Sequence, residues 1–201
     1  MKMGPRYKIA RRLGAPIFEK TQTQRYALTN SRKEKAGTMP TKPKSEFGKQ
    51  LLEKQKARLT YGLSEKQFSK YAKAALNHKD PLNSLFNAVE TRLDNTLYRA
   101  GFAKTRLQAR QMASHGHVTV NGRRVTIPSM TLKEGDMVGV REGSSQSSLF
   151  TGVTERMTAG AAPDWIAADA DKKTAKVTGA PAYVPAEAQF DLAAVLEFYS
   201  R

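Results

Sequence analysis

The amino-acid sequence predicts an α+β fold: a mainly helical N-terminal region with an irregular basic arm, a small α-α-β module, and a C-terminal helix that returns to the N-terminal helices. Three observations predict this class. Apolar residues recur at helical spacing between residues 46 and 101, short β-type runs flank Asn121-Gly122, and helical spacing returns over 190–201. The predicted domains are the arm at 1–45, a helical domain at 46–91 that 151–201 completes, and the module at 92–150.

The charge of the chain favours a polyanionic partner. Its 34 lysines and arginines against 18 acidic residues give a formal net charge of +16, which suits nucleic acid first and an anionic membrane second. Residues 1–80 carry most of this excess, because 20 basic and 6 acidic side chains leave a net of +14. No stretch approaches the roughly 20 apolar residues of a spanning helix, so we expect no membrane insertion. The absence of cysteine favours a cytoplasmic location and leaves no thiolate site for a metal.

The basic arm at 1–45 is predicted to be irregular, because it contains four prolines and shows no sustained helical or strand period. Its cations alternate with apolar side chains such as Tyr7 and Ile9, which an ordered contact with RNA would bury. A solvated, disordered segment is the alternative. The arm residues predicted to contact RNA are Arg6, Lys8, Arg11 and Arg12.

Two helices are predicted directly after the arm. Residues 46–59 contain good helix formers, and Tyr61-Gly62 closes the run. The second helix begins at Ser64, where Gln67 occupies the capping-box position. Lysines line its face opposite the apolar side, and both RNA contact and plain solvation are open for them. The lysines predicted to contact RNA are Lys66 and Lys70.

Residues 84–101 form the most periodic stretch of the chain. An apolar stripe runs along it at helical spacing, with Arg92 and Arg99 at the edge of the stripe. Thr105 then caps a further short helix, on which Arg106 and Arg110 stand one turn apart. We therefore predict one continuous helix over 84–101, followed by a helix with basic residues on its surface.

A predicted β-hairpin carries the next basic residues. Val118–Val120 and Val125–Ile127 are predicted strands, and Asn121-Gly122 between them favours a type I′ turn, which needs positive φ at both central positions. A further strand is predicted within 133–142. We expect one basic edge along the hairpin and the preceding helix, with an ordinary soluble surface as the alternative. The edge comprises Lys104, Arg106, Arg110, Arg123 and Arg124, with His115, His117 and Asn121 beside it as further predicted RNA contacts.

Short motifs over 92–142 resemble a known RNA-binding module. The elements RLDN, R-x-x-AR, VNG, IPS and GD occur in this order, and their spacing resembles the module named after small-subunit ribosomal protein four, which some RNA-modifying enzymes and tRNA synthetases share. The stretches GPRYKIARRLG, YGLSEKQFSKYAKAA, PDWIAAD and LEFYSR extend the resemblance. Over nearly its whole length, the chain is similar to the family of bacterial small-subunit ribosomal protein four.

The resemblance implies a structural component of the small ribosomal subunit, located in the cytoplasm on the ribosome. Such a protein binds the five-prime domain of small-subunit ribosomal RNA, nucleates its assembly, and borders proteins five and three near the messenger-RNA entry, where it influences decoding accuracy. Lys42 and Lys44 match the region linked to that entry. Some members hold zinc through cysteines of the arm, and their absence here implies no metal. We expect no cofactor and no homo-oligomer.

Two alternatives come from other protein classes. A free-standing RNA-binding or ribosome-rescue protein could use the same module, but it would leave the N-terminal helices and the terminal helix without a role. An RNA-modifying enzyme would need a catalytic domain, and the 51 residues after position 150 are too few for one. The histidines pair with no carboxylate or nucleophile at a recognisable spacing. We therefore predict a protein that is not an enzyme, with RNA contacts at Arg92, Arg99, Lys104, Arg106, Arg110, His115, His117, Asn121, Arg123, Arg124, Arg6, Lys8, Arg11, Arg12, Lys66 and Lys70.

Overall fold

The computed structural model describes residues 4–35, 45–160 and 162–200. The chain forms two compact units. The first unit comprises Met1–Leu85 and Tyr183–Arg201, and the second comprises Phe86–Ala182. The division falls within one helix, so the two units are continuous in the chain although each has its own packing.

The first unit is helical. Its helices are α1 (Arg6–Leu13), α2 (Gln24–Lys35), α3 (Glu46–Thr60), α4 (Glu65–Ala75) and the C-terminal helix α9 (Leu192–Ser200), while α5 (Pro81–Glu90) continues into the second unit. The predicted capping box of α4 is present, because the Ser64 hydroxyl accepts from the Gln67 backbone and the Gln67 side chain accepts from the Ser64 backbone. Local sequence therefore determines where α4 begins.

The prediction of an irregular arm is wrong for its described residues, because α1 and α2 lie within 1–45. Pro5 precedes α1 and Pro16 lies between helices, so neither interrupts one. The eight residues of α1 are too few to show a sustained period. Ala10 and Leu13 of α1 pack with Ile17, Phe18 and Leu59 in a small apolar cluster.

The predicted return of the C-terminal helix to the N-terminal helices is confirmed. Leu192, Val195 and Leu196 of α9 are buried. Aromatic pairs join α9 to α3 and α4. The ring centroids of Phe47 on α3 and Phe198 on α9 are 5.5 Å apart, and those of Phe68 on α4 and Tyr199 on α9 are 6.2 Å apart. The α+β class is likewise confirmed.

The predicted continuous helix over 84–101 is wrong, because α5 ends at Glu90 and α6 spans Leu93–Arg99. Arg92 between them has an extended backbone and forms an isolated β-bridge with Thr131. The Leu93 amide donates to the Met130 carbonyl at 2.8 Å, and the Leu132 amide donates to the Thr91 carbonyl at 2.8 Å. These bonds to a distant loop replace the helical hydrogen bonds, and apolar spacing alone does not reveal them.

The second unit combines helices with one antiparallel sheet. Its further helices are α7 (Arg106–Ser114) and α8 (Val153–Ala159), and its strands are β1 (Val118–Val120), β2 (Arg123–Val125), β3 (Met137–Val140), β4 (Ile166–Asp169) and β5 (Thr174–Val177). The strand order is β2-β1-β3-β5-β4. Apolar residues of α6, α7 and α8 pack with one face of the sheet, through side chains such as Leu97, Met112, Val118, Val138 and Met157.

The predicted assignment of 151–201 to the helical domain is wrong for 151–182. Strand β5 pairs with β3, with Val138 opposite Ala175, and therefore places this segment in the second unit. The strands β4 and β5 have four residues each, too few to show a clear alternation in the sequence. The second hairpin strand is Arg123–Val125 rather than Val125–Ile127, because a two-residue turn lets it begin directly after Gly122.

Candidate nucleic-acid interface

The hairpin turn has the predicted type I′ signature. Asn121 and Gly122 have φ values of 51° and 77°, which an asparagine and a glycine adopt at low cost. The Asn121 side chain also fastens the turn to β3: its amide nitrogen donates to Asp136 Oδ1 at 2.8 Å, and its oxygen accepts from the Met137 backbone at 2.8 Å. The Asn121 side chain therefore fixes the turn, and its contact with RNA stays a prediction.

Arg123 and Arg124 begin the edge strand β2 directly after this turn, and both are exposed. The Arg124 guanidinium lies against the end of α7, where its Nη2 donates to the His115 carbonyl at 3.4 Å. A Cβ on Gly116 would clash with that guanidinium. Gly116 therefore ends the helix and also makes room for Arg124.

Two buried carboxylates form ion pairs with Arg92, Arg99 and Arg110 of the module. Asp94 pairs with Arg92 at 2.8 Å and with Arg110 at 2.7 Å, and its side chain is 4% exposed. Glu90 pairs with Arg99 at 2.7 Å and is fully buried. Buried carboxylates need such partners, because an isolated buried charge is costly.

Asn95 connects the Glu90 pair to a further arginine. Its amide nitrogen donates to Glu90 Oε2 at 2.7 Å, and its oxygen accepts from Arg106 Nε at 2.7 Å. The Arg106 guanidinium carbon also lies 4.3 Å from the Tyr98 ring centroid, a cation–π contact. We call Glu90, Arg92, Asp94, Asn95, Arg99, Arg106 and Arg110 the arginine network; its four guanidinium groups and two carboxylates have a net charge of +2.

The arginine network bears on the predicted RNA contacts at Arg92, Arg99, Arg106 and Arg110. Arg92 is only 3% exposed, so its burial argues against direct RNA contact. Arg99 and Arg110 expose 36% and 27% of their side chains, and Arg106 is half-buried. Contacts to α6 hold Arg106 and Arg110, whereas Arg124 contacts the end of α7. Of the five cations of the predicted edge, Arg106 and Arg110 are paired on α7, Arg123 and Arg124 are exposed on the hairpin, and Lys104 is exposed before α7 begins.

The remaining candidates in the module differ in exposure. Lys104 and His115 are exposed, and the amide of Lys104 donates to Gln108 Oε1 at 2.9 Å. His117 is half-buried, with Nδ1 3.1 Å from Ser144 Oγ and its ring at an angle to Phe150. Lys104 and His115 therefore remain accessible for contact with RNA.

Candidates in the first unit lie on two helices. On α1, Arg11 Nε donates to the Tyr7 carbonyl at 3.2 Å, and the Arg6 guanidinium lies 6.0 Å from the Phe18 ring centroid. Of the predicted contacts in this unit, Lys8, Arg12, Lys66 and Lys70 are exposed, whereas Arg6 and Arg11 are half-buried. Lys42 and Lys44 lie outside the described residues.

Sequence reasoning missed the acidic half of the arginine network. Glu90 and Asp94 are the two acidic residues of the stretch 84–101, and their position beside an apolar stripe in a basic chain was the available signal. Arg156 was also missed: its guanidinium donates to the carbonyls of Phe102 at 3.2 Å and Thr151 at 3.0 Å. That arginine binds the protein's own backbone, so its role is structural.

Two site types are not found among residues 4–35, 45–160 and 162–200. Within these ranges, no helix combines the length and apolar character that crossing a membrane requires. No three histidine or acidic side chains in the same ranges are grouped so that they could hold a metal ion.

Comparison with known proteins gives two family matches. The family described as "Ribosomal protein S4/S9 N-terminal domain" matches residues 2–91, and the "S4 domain" matches residues 91–138. The chain is 39% identical to small ribosomal subunit protein uS4 of Akkermansia muciniphila over 201 residues, which cover 98% of both chains. It is 38% identical to uS4 of Roseiflexus castenholzii, covering 99% of this chain and 98% of the relative. The uS4 protein of Limosilactobacillus fermentum is 37% identical, with 98% of both chains covered.

Proposed function

This chain belongs to the family of small ribosomal subunit protein uS4, and we propose that it is a structural component of the small ribosomal subunit that binds small-subunit ribosomal RNA. The observation that carries the proposal is the likeness to uS4 proteins over 98% of both chains. Such coverage favours the ribosomal role over a free-standing or ribosome-rescue protein that shares the module. Membership in a ribosomal protein family agrees with the prediction that the chain is not an enzyme.

The geometry of the second unit supports binding to the phosphates of RNA. Arg123 and Arg124 are exposed at a rigid turn, and the half-exposed arginines of the network have fixed partners. Guanidinium groups bind phosphate oxygens in two-point fashion and stack on unpaired bases. Folded RNA presents phosphates, 2′-hydroxyls and shape, while its deep major groove hides the base edges. A rigid surface of arginines suits that target.

The finer assignment rests on the family resemblance. We propose that the chain binds the five-prime domain of the ribosomal RNA and nucleates the assembly of that domain. We further propose that it borders proteins five and three, that Lys42 and Lys44 lie near the messenger-RNA entry, and that the contact with protein five influences decoding accuracy. We propose that the protein is located in the cytoplasm, on the ribosome. We also propose that it forms no homo-oligomer.

Binding to two RNA fragments tests the RNA target. Purified protein is titrated with the five-prime domain and with a second ribosomal RNA domain of similar length, at several salt concentrations. We expect tighter binding to the five-prime domain and an affinity that falls steeply with salt, because phosphate neutralisation releases counterions. Equal affinity for both fragments would contradict the five-prime assignment and leave general RNA binding.

The ribosomal role has its own test. Small subunits are purified through a high-salt wash, and the amount of this protein is measured against the ribosomal RNA. We expect one copy per subunit after the wash. Loss of the protein from washed subunits would favour the free-standing alternative.

A further inference from the structure

We propose that Asn95, together with Glu90, is a positioning residue for RNA binding: it fixes Arg106 in the orientation that contacts an RNA phosphate. The inference rests on the proposed RNA-binding function and names a positioning residue within the same site. Asn95 itself is buried, with 2% exposure, so it would act through Arg106 and not by touching RNA.

Hydrogen bonding determines which way the Asn95 amide faces. Glu90 is fully buried, and its carboxylate accepts from Arg99 Nε at 2.8 Å and from Asn95 Nδ2 at 2.7 Å. The same amide nitrogen donates to the Glu90 carbonyl at 3.1 Å. A carboxylate accepts only, so it must face the amide nitrogen and not the amide oxygen. The oxygen of Asn95 therefore faces the opposite way, toward Arg106.

Two contacts then fix the Arg106 side chain. Its Nε donates to Asn95 Oδ1 at 2.7 Å, and its guanidinium lies over the Tyr98 ring at 4.3 Å. Together they define the direction of the side chain and the plane of the guanidinium, while the residue remains half-exposed. An arginine carries about 2 kcal/mol of rotamer entropy, and ordering it beforehand lowers the entropic cost of binding.

The buried acids leave the site attractive to phosphate. Glu90 is fully buried, whereas Arg99, with which it pairs, exposes 36% of its side chain. The arginine network therefore presents cations outward, with a net charge of +2. Asn95 is a neutral amide, so it holds Arg106 without adding an opposing charge, whereas Arg110 pairs directly with the carboxylate of Asp94 at 2.7 Å.

The test uses substitutions that change no charge. In Asn95→Ala the acceptor for Arg106 is removed, so we expect about tenfold weaker binding to the five-prime domain and a salt slope lower by about 1, as for one lost phosphate contact. Thr96→Val is the matched control, since Thr96 is buried on the same helix and its hydroxyl donates to the Glu90 carbonyl at 3.4 Å. We expect the control to keep the wild-type affinity and slope.

A double-mutant cycle separates positioning from general damage. Arg106→Ala should weaken binding about as much as Asn95→Ala, and the double variant should bind no more weakly than Arg106→Ala alone. Additive losses would mean that Asn95 acts on binding by another route, and the proposal would be overturned. Thermal unfolding of each variant shows that binding is measured on folded protein.

A second variant keeps the test decisive if Asn95→Ala does not fold. Tyr98→Leu removes the aromatic face beneath Arg106 at unchanged charge, and we expect a loss of affinity in the same direction that again disappears in the Arg106→Ala background. Wild-type affinity in both Asn95→Ala and Tyr98→Leu would overturn the positioning role. Failure of the wild-type protein to bind any ribosomal RNA would instead refute the proposed function, so the two failures are distinguishable.

Discussion

Each unit contains an ion-pair cluster with more cations than carboxylates. The cluster of the second unit buries its carboxylates, whereas the cluster of the first unit buries a cation. In the second unit, the carboxylates of Glu90 and Asp94 are 0% and 4% exposed, while Arg99 and Arg110 reach solvent. In the first unit, the cation is inside: the Lys54 side chain is 8% exposed, and its partner Glu65 is 47% exposed. Which partner of the ion pair is buried therefore decides which charge is exposed at the surface.

This difference indicates two uses for the same chemistry. Glu65 accepts from Lys54 at 2.9 Å and from the Tyr199 hydroxyl at 2.7 Å, and the Lys54 ammonium lies 4.4 Å from the Phe198 ring centroid. These contacts join α3 and α4 to the C-terminal helix α9. The cluster of the first unit fastens helices together, whereas the arginine network of the second unit supports a cationic surface.

The largest expected effect follows from removing a buried carboxylate. Asp94→Ala deprives the buried guanidinium of Arg92 of its carboxylate, and we expect the free energy of unfolding to fall by about 3–5 kcal/mol. Chemical denaturation measures it. Asp169→Ala in the same unit is the control: its pair with Lys172 is exposed, so a much smaller loss of stability is expected. If both variants lost the same free energy of unfolding, burial of the Asp94 carboxylate would have no special structural role.

The next effect is on RNA binding. Reversing the charge of both Arg123 and Arg124 to Glu should weaken binding by about tenfold to hundredfold and lower the salt slope by about 1 for each lost phosphate contact. Reversal at Arg110 is a poorer test, because the new carboxylate would lie beside Asp94.

A matched charge reversal on α4 compares the hairpin with predicted contacts of the first unit. Lys66 and Lys70 are also exposed, and reversing both removes the same formal charge from the first unit. The RNA affinity of both double variants is measured at several salt concentrations. If the α4 variant loses as much affinity as the hairpin variant, the second unit has no special place in RNA binding.

A smaller effect is expected from the turn that carries the exposed arginines. Gly122→Val keeps every charge but forces a β-branched residue to a φ of 77°, which costs about 1–3 kcal/mol and displaces Arg123. Thermal unfolding should show the loss, and RNA affinity should fall with it. Gly122→Asn is the control, since asparagine tolerates this backbone region. A stable, fully binding valine variant would show that the turn geometry is unimportant.

The smallest effect concerns pH in the first unit. Partial burial raises the pKa of Glu65, but hydrogen bonds from Tyr199 and Lys54 and the charges of Lys54 and Arg58 outweigh it and hold the pKa below its ordinary value of 4.5. The stabilising contribution is therefore present above pH 4.5 and is lost as pH falls through the lowered pKa.

Glu65→Gln measures this contribution. We expect the variant to be less stable than the wild type by about 1 kcal/mol or less at pH 7, because the carboxylate is half-exposed. The difference should shrink in denaturation experiments below pH 4. A difference that is constant between pH 7 and pH 3 would mean that the charge of Glu65 plays no part.

Features set by neighbouring residues were predictable from the sequence. The caps at Ser64 and Thr105 and the turn at Asn121-Gly122 each depend on side chains within a few positions. The break between α5 and α6 and the pairing of β5 with β3 depend on backbone bonds to remote segments. Apolar periodicity carries no information about such partners, so these features were missed.

The candidate site divides in the same way. The exposed Arg123 and Arg124 follow from the turn, and their position was predicted. The burial of Arg92 and the pairing of Asp94 with Arg110 required knowing that α7 packs beside α6. Sequence alone counts charges, whereas the fold decides which of them meet each other and which meet solvent.

The return of α9 to α3 also sets an order in time during synthesis. The amide of Asp191 donates to Glu53 at 3.0 Å across the whole intervening chain, so this contact forms only after residues 86–182 have been made. At about 5–20 residues per second, that takes roughly 5–20 s. By the end of this interval the second unit has all its strands, while α3 still lacks the helix that covers it. The half-made protein therefore exposes apolar surface of α3 for seconds, until α9 has been made and covers it.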